Sequence, residues 1–172
     1  MKVRKTEIPA DSLIARHLPA DHADSFAVEA GTKIAASPDD LMVGFWSDMP
    51  AWVTVLFALR NMMVKLVGLK GSDSHNGEEL EKCIREGGKY GFLETLAKDG
   101  RETVIVMRDK HLDAYISLYK ANSDTIAATT LVRYNNRLGK VYFFAIRPFH
   151  NIIVRSMLKR AVKKQRITEI QN

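Results

Sequence analysis

Three strand-like runs, each closed by turn signals, lead into one long amphipathic helix at the end of the chain. The runs are residues 111–120, 125–134 and 140–148, and the helix begins at Pro148 and covers 149–166. This order constrains the fold more than any other feature. An antiparallel sheet with one apolar face must cover that face, and a helix with an apolar stripe is the cover at hand. On the wheel of 149–166, Ile153, Val154, Met157, Leu158 and Ala161 form one stripe. Arg155, Lys159, Arg160, Lys163, Lys164 and Arg166 occupy the opposite arc, and they account for the whole net charge of +6. The charge is therefore local to one helix face.

The register within the sheet is also readable. Closing a hairpin at Asn122-Ser123-Asp124 sets Leu112, Ala114, Ile116, Leu118, Ile126, Ala128, Thr130 and Val132 on one apolar face. His111, Asp113, Tyr115, Ser117, Tyr119, Thr125 and Thr129 fall on the other, which is expected to be a solvated face or a subunit contact. Carried through 135–139, the same register adds Tyr142, Phe144 and Ile146 to the apolar face. Upstream, 90–97 and 102–108 read as strands joined at Asp99-Gly100, and 24–30 as a first strand ended by Gly31. Ser37-Pro38-Asp39-Asp40 is a strong helix start, with an N-cap serine, proline at the first position and acids in the first turn. A second helix is expected over 51–67, ended by Gly68, and a short one over 78–85. Residues 1–22 read as an extended lead-in and 70–89 as a surface connection, so the 172 residues make one domain.

Several classes are excluded or set aside. Residues 1–26 lack the apolar core of a signal peptide, and a cytoplasmic chain is the expectation. The apolar stretch 49–69 is interrupted by Arg60, Asn61 and Lys65, which favours a buried helix over a membrane span. The single cysteine, Cys83, has no partner for a disulfide and no neighbour at metal-ligand spacing. No phosphate-binding glycine motif is present, since 68–71 and 87–91 lack the strand-loop-helix setting. His17 and His22 with Asp21 and Asp24 lie in or beside the lead-in, and the expectation is that the protein carries no metal and no cofactor. The basic arc of the last helix lacks interleaved aromatic residues. It reads as a solvated face, not as a nucleic-acid or membrane surface.

The phrases DKHLDAYISL at 109–118, TTLVRYNNRLGKVYF at 129–143 and RPFHNIIVRSMLKRA at 147–161, with the helical 45–69, resemble a bacterial family of unknown function. That family is placed in the START-like, birch-pollen-allergen-like superfamily. The resemblance implies an α+β helix-grip fold: a curved antiparallel sheet of six or seven strands around a long C-terminal helix, with two shorter helices after the first strand. Six strands are legible, so a seventh is expected within 1–22 or 70–89. The resemblance further implies a cavity between sheet and helix that holds an apolar compound.

On that basis Trp46, Trp52, Phe57, Met62 and Met63 are candidates for the cavity mouth, or else plain core. Ile116, Thr130, Tyr142, Phe144 and Met157 are candidates for its wall, with Thr130 and Tyr142 orienting a ligand. The alternative there is a solid centre in which both hydroxyls satisfy backbone groups. His150 is a candidate for the cavity end. An enzymatic reading would use His111 and Asp113 as acid and base beside Tyr115. An interaction module or homodimer, using the Tyr115/Tyr119 face or the basic helix, is the third reading. The leading one is binding of a small apolar or amphipathic molecule without chemistry.

Overall fold

In the computed structural model, residues 1–47, 50–51, 77–91 and 93–171 are described, with side chains through Arg166 in the last helix. Seven strands form one antiparallel open sheet: β1 Val3–Thr6, β2 His22–Glu29, β3 Gly88–Tyr90, β4 Leu93–Lys98, β5 Glu102–Arg108, β6 Leu112–Lys120 and β7 Thr125–Tyr134. A 3-10 turn covers Leu13–His17. The helices are α1 Pro38–Ser47, α2 Gly77–Glu86 and α3 Arg137–Gln171. Strand order is β1-β2-β7-β6-β5-β4-β3, so the class is α+β. The two strands that 1–22 and 70–89 conceal are β1 and β3. The helix expected over 51–67 lies outside the described residues, as do Trp52, Phe57, Met62 and Met63.

Local chemistry explains the boundaries. Asp99 Oδ1 accepts from the Arg101 and Glu102 amides, both at 2.7 Å, which closes the β4–β5 hairpin. Asn122 Oδ1 accepts from Asp124 N at 3.0 Å and Thr125 N at 2.8 Å, which closes β6–β7. The α1 start is a reciprocal cap. Ser37 Oγ accepts from Asp40 N at 3.1 Å, and Asp40 Oδ2 accepts from Ser37 N at 2.9 Å.

The apolar sheet face is the one read from the sequence. Ile116 lies opposite Thr130 and Ile105, and Leu118 opposite Ala128. Val154, Met157, Leu158, Ala161 and Val162 of α3 pack onto this face together with Phe26, Val28, Leu41 and Phe45. Each Val, Leu, Met or Phe side chain among them, fully buried, contributes about 1.5–3 kcal/mol. Gly44 of α1 meets α3 closely, since a Cβ there would stand 3.8 Å from Ala161.

The third run departs from expectation. Residues 140–148 are helical, and α3 begins at Arg137, so Pro148 lies inside the helix and does not start it. The reason is edge occupancy. β7 pairs with β6 on one side and along its length with β2 on the other, so no strand can be added beside it. Asn136 supplies the helix start, its Oδ1 accepting from Gly139 N at 3.1 Å. Phe144, expected to face the cavity from a strand, is instead 77% exposed on α3. Phe143 is the inward residue, packed on Ala114 and Val132.

The opposite sheet face is covered, not solvated. Ile14 packs on Val104, Val106, Tyr115 and Leu131, with Ile8 and Leu13 at the margin. Glu102, buried on β5, is the anchor. Its carboxylate accepts from the amides of Leu13 and Ile14 at the open end of the 3-10 turn and from Ser117 Oγ. Asp11 adds a second tie, accepting from Tyr119 Oη at 3.0 Å and pairing with Arg101 at 2.9 Å.

Candidate functional site

β2 enters the sheet with two residues of one strand face, His22 and Asp24, turned toward the helices. Its side-chain alternation places them in line with Phe26 and Val28, which belong to the main core. α3 lies over this end of the sheet and brings in His150. His22 Nε2 stands 2.8 Å from Asp24 Oδ2, and His150 Nε2 stands 3.4 Å from the same oxygen. Nitrogen and oxygen ligand atoms of the three residues lie within 4.8 Å of one another. Their side chains are 11%, 3% and 14% exposed for His22, Asp24 and His150, which makes this a mostly dry site.

The surroundings are apolar and aromatic. The Phe143 ring lies 4.8 Å from His22 and 5.7 Å from His150, centroid to centroid, and the two imidazoles meet edge to face at 5.9 Å. Thr130 is the cross-strand partner of Asp24. Three buried polar atoms here have no hydrogen-bond partner among the described residues: Asp24 Oδ1, Thr130 Oγ1 and His150 Nε2. At 3.4 Å the His150–Asp24 approach is a close contact without hydrogen-bond alignment. Burial raises the Asp24 carboxyl, but His150 and then His22 outweigh it and bring its pKa to about 2. Asp24 is therefore an ionised carboxylate in an apolar setting, with one oxygen unused.

The other candidates separate. Trp46, Ile116 and Met157 are buried in the main core, and Thr130 is buried beside Asp24. Tyr142 is half-buried on α3, and Phe144 faces away. His111 Nδ1 lies 3.2 Å from Asn136 Oδ1, while Asp113 receives Arg108 at 3.4 Å and Asn135 at 3.3 Å. Tyr115 stacks on His17 at 4.8 Å, with Arg133 5.6 Å above its ring. Each member of the His111, Asp113 and Tyr115 group thus has its own partners.

The sequence groups His22 and Asp24 with His17 and Asp21 and sets His150 apart at a cavity end, so it does not bring the three together, although the signal is present. His-x-Asp at strand spacing places both side chains on one face, and His150 shares the inward stripe of Phe143, Val154 and Met157. Among the described residues no helix is long and apolar enough to cross a membrane. The family model described as Protein of unknown function (DUF2867) matches residues 18–157. No curated protein and no solved structure matches the chain.

Proposed function

The chain belongs to the DUF2867 family of proteins of unknown function, and from that premise we propose that it binds a small amphipathic molecule between the sheet and α3. The observation that carries this reading is the unused polar capacity of Asp24 and Thr130, buried beside His22, His150 and the Phe143 ring. A buried acceptor without a donor costs about 1–3 kcal/mol, so a ligand group that donates to Asp24 Oδ1 recovers that energy on binding. The ligand class follows. Its polar end carries a hydroxyl or amine to meet Asp24 and Thr130, and its body is apolar to lie along Ile116, Phe143 and Met157. Burial of that body contributes about 25 cal/mol per Å². This is the mode of a helix-grip cavity, with selectivity set by few polar groups and affinity by area.

Native mass spectrometry of the chain isolated from its own host tests the proposal. A discrete organic adduct in the unmodified chain, weakened in Thr130→Val, is the expected result. A bare polypeptide mass, together with no uptake of an apolar fluorescent probe, would overturn it.

A further inference from the structure

We infer that His22, Asp24 and His150 hold one divalent first-row transition-metal ion. Three lone-pair donors from two separate elements converge on one spot. Nε2 of both imidazoles lies near the same carboxylate oxygen, at 2.8 and 3.4 Å. A hydrogen bond to Asp24 alone accounts for His22, whose nitrogen is at hydrogen-bond distance. It does not account for His150, whose buried Nε2 approaches Asp24 without a hydrogen bond. Nor does it account for the second oxygen of an almost fully buried carboxylate standing without a partner among the described residues.

A cation among the three gives the buried His150 Nε2 a partner, and a hydroxyl seated on that cation can donate its proton to Asp24 Oδ1. Ligand atoms around a tetrahedral ion at about 2.0–2.2 Å stand roughly 3.3 Å apart. The three atoms here, all within 4.8 Å, reach that spacing by small imidazole motions. Two imidazoles and one carboxylate select zinc, iron(II) or a neighbouring ion over magnesium or calcium, which take oxygen ligands.

Three protein ligands leave a coordination position open, as in sites that take an exogenous oxygen. Thr130, the cross-strand partner of Asp24, adds a buried hydroxyl without a partner among the described residues. This last step rests on the proposed ligand reading: the polar end of the amphipathic molecule is then an oxygen donor to the ion. Phe143, packed against both imidazoles, holds them in place and keeps water away.

The test uses the full chain, stripped with chelator and titrated with Co²⁺ and Zn²⁺. One equivalent of Co²⁺ should give d–d absorption of a low-coordinate nitrogen-oxygen site, displaced by one equivalent of Zn²⁺. His150→Ala and Asp24→Asn should each weaken Zn²⁺ binding by at least about 100-fold, since each loses a direct ligand where even outer-shell losses cost 10–100-fold. His17→Ala, remote from the cluster, should bind as the unmodified chain does. Absence of d–d absorption in the unmodified chain overturns the inference without recourse to any variant, as does equal affinity in folded His150→Ala. Native mass spectrometry of the stripped protein separates the two proposals. An organic adduct with no metal uptake rejects the ion and keeps the ligand, and stoichiometric metal with no organic adduct does the reverse.

Discussion

Gly139 lies in the first turn of α3, against the backbone that enters β6. A Cβ built there would stand 2.0 Å from His111 O and 2.7 Å from His111 C. That is more than roughly an ångström inside van der Waals contact, and the obstacle is main chain, which cannot rotate aside. Helix propensity alone predicts the opposite sign, because alanine is about 1 kcal/mol better than glycine in a helix. The close approach wins. Making room requires α3 to lift from His111, at an overpacking cost of about 1–3 kcal/mol. Lifting also strains two hydrogen bonds that fasten the junction, Asn135 N to His111 O at 2.9 Å and Asn136 Nδ2 to Lys110 O at 3.1 Å. Each contributes about 1 kcal/mol.

Offset by the propensity gain, Gly139→Ala should destabilise the protein by about 2 kcal/mol, a fall in Tm of roughly 4–8 °C for a domain of this size. Gly44→Ala is the matched control. Its Cβ would meet Ala161 at an ordinary 3.8 Å, so the propensity gain should survive and the variant should be as stable as the unmodified chain or slightly more so. Urea unfolding followed by circular dichroism measures both. If Gly139→Ala equals or exceeds the unmodified chain, α3 does not start against His111, and the placement of His150 over β2 goes with it.

Two further outcomes are expected. Glu102→Gln puts an amide donor where three donors converge on a buried acceptor, and should cost about 1.5–3 kcal/mol. Limited proteolysis should then cut within residues 1–20 faster than in the unmodified chain, and an unchanged cleavage rate would show that Glu102 does not secure this segment. Phe143→Ala should cost about 3–5 kcal/mol in urea titration, because the ring is 3% exposed, whereas Phe144→Ser at 77% exposure should change stability by less than about 0.5 kcal/mol. The reverse pattern would restore the strand reading of 140–148.

The sheet was legible where turn chemistry and side-chain alternation agree. β5 and β7 coincide with the runs 102–108 and 125–134, because Asp99 and Asn122 each bind the backbone that follows them. The burial of Val154, Met157, Leu158 and Ala161 was legible for the same reason, a stripe at helical spacing. Residues 140–148 were not. Val141, Tyr142, Phe143 and Phe144 have the composition of a strand, and Pro148 resembles a helix start. What decides against a strand is nonlocal: β2, distant in sequence, occupies the edge of β7. The covered back face was hidden in the same way, because nothing local pairs Leu13 and Ile14 with Glu102.

That nonlocal pairing also accounts for the site. β2 runs antiparallel to β7, so His22 sits opposite Val132 and Asp24 opposite Thr130, beside the end from which the chain leaves the sheet. With both edges of β7 taken, the chain can only rise off the sheet, and Asn136 caps a helix at once. The early turns of that helix must pass over the start of β2. Phe143 and His150 therefore meet His22 and Asp24, while Val154, Met157 and Leu158 pack into the main core and Ala161 reaches Gly44. Strand order alone places an imidazole from the last helix above a carboxylate from the second strand. A shift of one residue in the β2–β7 register would turn both His22 and Asp24 to the back face, beneath the lead-in. The His22, Asp24 and His150 set and the sheet topology thus stand together. A measured metal stoichiometry near one per chain, abolished in Asp24→Asn, would support the register as directly as it supports the site.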